Sequence, residues 1–256
     1  MLNLGRAVRL ATRGENWAAL ARFFSVYSNP VSAFLQEIGA LPLKPVQQVN
    51  TPAGKIQIAL RGPDDLATIS AMFCRGDYMG APDASVVVDI GANVGVAAAF
   101  FLSQSASHTS LYAYEPATRN LEVLRRNMAQ FTRDDVLVVA GAVGVKAGRA
   151  TFHLENTGKF GGLMANSRTD GGETIDVEVV AINDILDMVV AKHGRIDVLK
   201  IDTEGTEVGL IHAIEPRFWP LIKTLFVDIC EAGTMVGVAP ADFKVRELSG
   251  VARLTR

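Results

Sequence analysis

Cysteine is scarce. The 256 residues contain two, Cys74 and Cys230, far apart and outside any C-x-x-C spacing, which excludes a disulfide framework and a cysteine-held zinc site. Both read as reduced packing residues of a cytoplasmic protein. Charge of one sign is also missing: 25 Lys and Arg stand against 27 Asp and Glu, a formal net charge of -2, so nucleic acid has no electrostatic footprint to bind. No apolar run reaches the ~18 residues of a membrane span, and the chain reads as soluble with no transmembrane segment. The four histidines, His108, His153, His193 and His212, form no i, i+4 pair and no ligand spacing, so no histidine-held metal site is expected, with a divalent metal at Asp202 the minor alternative. His153, beside a glycine-rich stretch, is the one with a catalytic reading.

A hydrophobic share of 49% with 20% charged residues is that of an ordinary globular chain. Its length suits one main core with a small appended element. The prolines of Leu41-Pro-Leu-Lys-Pro45 mark the boundary, giving an N-terminal helical segment over 1–45 and a domain over 46–256. The leading segment carries Arg6, Arg9, Arg13 and Arg22 but no apolar h-region or cleavage site, so it is not a targeting peptide. Trp17, Leu20, Phe23, Phe24 and Tyr27 recur at helical spacing. That apolar face either packs on the domain or meets a partner, a second copy or a membrane surface.

The chain is organised around Val86-Val-Val-Asp89-Ile-Gly91-Ala92-Asn93-Val-Gly95. A β-branched run empties into a glycine turn, and Val96 to Leu102 continues as a helix whose N–H groups point toward the same pocket. The dinucleotide pattern G-x-G-x-x-G needs glycines at positions 93 and 96, where Asn93 and Val96 stand, so a diphosphate is disfavoured. Carboxylates sit at the strand ends instead: Asp89, Glu115, Asp202 and Glu204. A donor with a sulfonium, an ammonium and a ribose fits that set, and S-adenosylmethionine is such a cofactor.

Around this centre, Val46–Val49 and Lys55–Leu60 flank Thr51-Pro-Ala-Gly54 as a β-hairpin, and Asp64 and Asp65 open a helix over Leu66–Phe73. The loop with Tyr78 sits either over the pocket or on the surface. Ser110–Tyr114 is the second strand. Pro116 starts the next helix, and Glu115, 24 positions past Gly91, lies where ribose hydroxyls are bound in doubly wound folds. Asp135–Ala140 is the third strand, followed by Gly141-Ala142-Val-Gly144 near the adenine. Arg149–Leu154 and Ile175–Ala181 form an antiparallel pair around a long glycine-rich loop that is either a substrate lid or plainly mobile. Ile196–Ile201 and Leu221–Ile229 are the remaining parallel strands, with a helix over Asn183–Lys192 before the first and another over Glu207–Ile214 between them.

Asp89-Ile-Gly-Ala-Asn-Val-Gly95, Tyr114-Glu115-Pro116 and Leu199-Lys200-Ile-Asp202-Thr-Glu204-Gly205-Thr-Glu207 resemble the FkbM-type methyltransferases. The hairpin, the Gly76-Asp-Tyr78 loop and Asn156-Thr-Gly158 add to the likeness, which covers Val46 to Ile229. It implies an α/β class I methyltransferase fold, a doubly wound, mostly parallel sheet, and S-adenosylmethionine-dependent transfer to a small molecule or glycan, usually on oxygen. Cofactor contacts are expected at Asp89, Gly91, Ala92, Asn93, Gly95, Glu115, Pro116, Ala142 and Asp202. Asp202 or Glu204 is expected to take the acceptor's proton, with Lys200 tuning the charge; Asp202 holding only the cofactor stays the alternative. The sequence departs from the family at Asp228, where a glutamate is usual. It also leaves only Phe243–Leu254 for the closing antiparallel hairpin, so the C-terminal strands are expected to be incomplete. That shortfall, with the arginine-bearing N-terminal helix, motivates a second reading: a non-catalytic or partner-dependent cofactor-binding domain.

Overall fold

The computed structural model describes residues 16–104, 108–132, 134–155, 161–163, 172–229, 235, 237–238, 240–248 and 250–256. Helices α1 (Asn16–Val26) and α2 (Pro30–Glu37) lead. They are separated where Asn29 caps α2, its side chain accepting from Ser32 N at 3.1 Å, and Pro30 supplies the fixed φ of a first turn. Strands β1 (Val46–Thr51) and β2 (Gly54–Ala59) form the expected hairpin. Helix α3 (Pro63–Ile69) is held at its start by Asp65, whose Oδ2 accepts from Arg61 N and Gly62 N at 2.7 and 3.1 Å. The helix expected to run to Phe73 instead widens into a π turn over Ser70–Arg75 and stops at left-handed Gly76.

Then follow β3 (Val86–Ile90), α4 (Val96–Ser103), β4 (Ser110–Glu115), α5 (Thr118–Met128) and β5 (Asp135–Ala140). Helix α5 begins two residues later than expected. Pro116 lies outside it, and Glu115 reaches forward to the N–H of Ala117, the N-cap residue. Strands β6 (Ala142–Gly144), β7 (Gly148–Leu154), β8 (Gly161–Gly162) and β9 (Glu173–Ala181) make a small sheet ordered β6-β9-β7-β8. The rest comprises α6 (Ile182–His193), β10 (Ile196–Ile201), α7 (Glu207–Ala213), a 3-10 turn, β11 (Ile222–Asp228), β12 (Lys244–Leu248) and β13 (Val251–Thr255).

The main sheet is ordered β12-β13-β11-β10-β3-β4-β5, parallel from β11 through β5, with β13 antiparallel to both β11 and β12. The expectation of incomplete C-terminal strands is therefore corrected. Two five-residue strands supply the closing hairpin, and β12 escapes notice in the sequence because it is an exposed edge bearing Lys244, Arg246 and Glu247.

Alternation along the strands divides the core. Val87, Leu111, Ala113, Val198 and Phe226 face α4, α5, the hairpin and α1, whereas Val88, Ile90, Leu199, Ile201 and Val227 face α6 and α7. Each of these side chains other than Ala113 contributes about 1.5–3 kcal/mol on burial. The apolar face of α1 is split. Phe23 and Tyr27 join the core, while Leu20 and Phe24 stay exposed. Arg6, Arg9, Arg13, Cys230, Asn156-Thr-Gly158 and most of the glycine-rich loop lie outside the described residues.

Candidate cofactor and acceptor site

Parallel register brings Lys200 of β10 beside Asp89 of β3. Both are buried, at 2% and 0% exposure. Lys200 Nζ donates to the Gly91 carbonyl at 2.9 Å and lies 3.0 Å from Asp89 Oδ1 and 3.3 Å from Asp202 Oδ2. Burial works against its charge, but Asp89 and Asp202 outweigh burial and raise its pKa. An ammonium locked in this way cannot relay protons near neutral pH. Lys200, expected among the catalytic groups, sits where it ties the turn after β3 to the tip of β10.

The glycine turn spends its amides internally. Gly91 N and Ala92 N both donate to the Tyr114 carbonyl, at 3.0 and 2.9 Å, Asn93 N to Glu115 Oε2 at 2.9 Å, and Gly95 N to the Ala92 carbonyl at 2.8 Å. Glycine is required at 91 by close packing: φ is +75°, and a Cβ would fall 1.7 Å from the Asp202 carbonyl oxygen. Gly95 (φ +86°) likewise meets a Leu124 methyl. Among the described residues, Asn93 and Glu204 are the non-glycine positions with positive φ, at +52° and +56°. Both line the site, where such strain tends to gather.

Glu115, 5% exposed, accepts from Ala117 N (3.0 Å) and Asn120 Nδ2 (3.1 Å) at Oε1, and from Asn93 N at Oε2. Burial raises its pKa while these bonds pull it back. The carboxylate thus staples β4 to the glycine turn and keeps acceptor capacity on Oε2.

Two cavities meet at this point, and both are lined by Gly91, Asn93, Asp202 and Glu204. The first continues over Glu115, Pro116 and Ala142 to Phe152 and Leu154 of β7. The second runs under α3 and the π turn past Tyr78, Ala92 and Lys200 to Asp228. Asp89 and Gly95 line neither; one lies behind Lys200 and the other packs on α5. His153 also lines neither cavity, although its neighbours Phe152 and Leu154 line the first. Tyr78 is 4% exposed, its ring against Phe101 and Phe226, so it is a cavity wall and not a surface residue. Asp228 is the group that sequence reasoning passed over, though its departure from the family was a signal.

The model of the methyltransferase FkbM domain matches residues 89–234, more than half of the chain. The chain belongs to the FkbM methyltransferase family. It is similar to "31-O-demethyl-FK506 methyltransferase FkbM" of Streptomyces tacrolimicus, 28% identical over 59% of this chain and 68% of that protein. "Methyltransferase 1" of Beauveria bassiana is 24% identical over 59% of this chain and 67% of its own length. Among solved structures, methyltransferase FkbM from Methylobacillus flagellatus aligns at 15% identity with a TM-score of 0.43, over 78% of this chain and 56% of that one, so the chain spans just over half that protein.

The residues of this FkbM domain suit a cationic nucleoside donor. Its turn has few amides left for a diphosphate, its strand tips carry carboxylates, and Ile90, Val143, Phe152 and Leu154 supply an apolar wall for a base. The carboxyl oxygens of Asp202, Glu204 and Asp228 gather within 4.8 Å of one another. Lys200 pairs with Asp202, and among the described residues the Asp228 carboxylate makes no ion pair.

Proposed function

We propose that the chain is an S-adenosylmethionine-dependent methyltransferase acting on a hydroxyl oxygen of a small molecule or glycan. One observation carries the reading. Glu115 and the Asp89–Lys200–Asp202 cluster meet at the tips of adjoining parallel strands, around a turn whose amides are largely used up. The sheet order and two-sided core support a doubly wound class I fold over 46–256, with 1–45 as a helical lead. The oxygen acceptor takes support from the name of the Streptomyces relative.

In this reading Glu115 accepts from the ribose hydroxyls, Pro116, Ala142 and the apolar wall flank the adenine, and Gly91, Ala92, Asn93 and Asp202 border the methionine portion. Bound S-adenosylmethionine supplies an activated methyl group on a good leaving group. The protein's own work is alignment and desolvation of the acceptor, an effect worth ~7–11 kcal/mol for well-oriented reactants. The hairpin β12–β13 removes one of the two grounds for a non-catalytic domain.

Isothermal titration with S-adenosylhomocysteine tests the cofactor, with NAD as control. Micromolar binding of the first is expected, whereas binding of NAD alone would overturn the assignment. A labelled-methyl screen over hydroxylated metabolites and sugars then tests the acceptor class, and no product in any of them favours the binding-domain reading.

A further inference from the structure

The two cavities divide the acidic groups unequally. Asp202 and Glu204 border both, and Asp202 is answered by Lys200 at 3.3 Å. Asp228, the last residue of β11, borders the second cavity alone and is half-buried there. The charged and titratable groups facing it come from each neighbouring element. Lys200, Asp202 and Glu204 belong to β10 and its tip and Glu207 to the start of α7; Asp64 and Asp65 of α3, Arg75 of the π turn, and Asp77 and Tyr78 of the loop after it line the same cavity, to which β13 contributes apolar Val251.

We propose that Asp228, and not Asp202, is the catalytic residue that takes the proton from the acceptor hydroxyl, in an acceptor chamber formed by the second cavity. This rests on the methyltransferase reading above. Asp202 has one oxygen engaged by Lys200, whereas a carboxylate facing other carboxylates in a partly dehydrated wall is a strong base. Burial first, then Asp202 and Glu204, push the Asp228 pKa up to about 8, with Lys200 pulling the other way. A general base works best when its pKa lies near the working pH.

The step balances. The acceptor oxygen's lone pair forms the new bond to the methyl carbon, the carbon–sulfur pair stays with sulfur and cancels the sulfonium charge, and the hydroxyl proton passes to an Asp228 oxygen. An ether, a thioether and a protonated Asp228 result, and the proton then leaves to water.

The test uses full-length protein with Asp228→Asn, Asp228→Glu and Asp202→Asn. Asp228→Asn is expected to keep S-adenosylhomocysteine affinity within about threefold and to lose about 100-fold or more in turnover of the acceptor found in the screen. Asp228→Glu is expected to recover at least tenfold of that loss. Wild-type kcat/KM, which reports the free enzyme, should fall about tenfold per pH unit below about pH 8, and this limb should vanish in Asp228→Asn. Carboxyl carbon-13 NMR needs no acceptor: the resonance removed by Asp228→Asn should titrate between pH 7 and 9. Turnover above one-fifth of wild type in Asp228→Asn, a tenfold loss of S-adenosylhomocysteine affinity, a strict magnesium requirement, or titration of that resonance below pH 6 would each overturn the proposal. Failure of the wild type to bind S-adenosylhomocysteine removes the methyltransferase reading itself, whereas binding alongside an ordinarily titrating Asp228 removes only this assignment.

Discussion

The two cavities share a floor and treat their carboxylates in opposite ways. In the first, Glu115 is held by two backbone N–H groups and the Asn120 amide, so its geometry is set before anything binds. In the second, Asp202, Glu204 and Asp228 face one another, and Lys200 answers the nearest. A satisfied carboxylate is suited to holding a ligand. One that faces other carboxylates from a half-buried position, as Asp228 does, is suited to changing its protonation.

Removing the cation beneath the second cavity should have the largest effect. Lys200→Met leaves Asp89 and Asp202 without their cation and is expected to destabilise the fold by about 3–5 kcal/mol, as when one partner of a buried ion pair is lost; urea unfolding monitored by circular dichroism measures it. Next, Glu115→Ala should weaken S-adenosylhomocysteine binding by about 1–3 kcal/mol, read by calorimetry, because charged hydrogen bonds disappear from the first cavity alone.

A smaller effect concerns the second cavity. The folded pKa of Asp228 is raised above the ~3.9 of an unfolded aspartate. Its contribution to stability is therefore intact at low pH and is lost as pH climbs from about 4 toward about 8. Asp228→Asn escapes this loss. Its Tm should exceed that of wild type by about 2–4 °C or more at pH 9, the shift that about 1 kcal/mol gives in a chain of this size, and should match wild type at pH 3. Smallest of all, His153→Ala should change stability by less than about 0.5 kcal/mol and leave cofactor binding untouched, since its side chain lines neither cavity. A marked loss of binding there would bring the histidine back as a candidate.

Parallel strands announce themselves because they are buried on both faces. The runs Val86–Ile90 and Ile196–Ile201 are nearly continuous apolar stretches, and their tips could be named from the residues alone. The first cavity was legible for that reason. The second was not, because its features depend on distant neighbours. Nothing local distinguishes the π turn over Ser70–Arg75 from an ordinary helix. The sequence placed Lys200 at the site, but its burial between Asp89 and Asp202 depends on the register of β10 with β3. The raised pKa of Asp228 comes from burial and from Asp202 and Glu204 just past β10, outside any window around position 228.

Arg253 of β13 donates to the Met79 carbonyl at 3.0 Å, across 174 positions of chain, and so anchors the loop that presents Tyr78. Glu115 and Asn93, by contrast, meet across only 22. The wall of the second cavity is thus tied down by the last strand of the chain, whereas the carboxylate of the first is fixed by near neighbours in sequence.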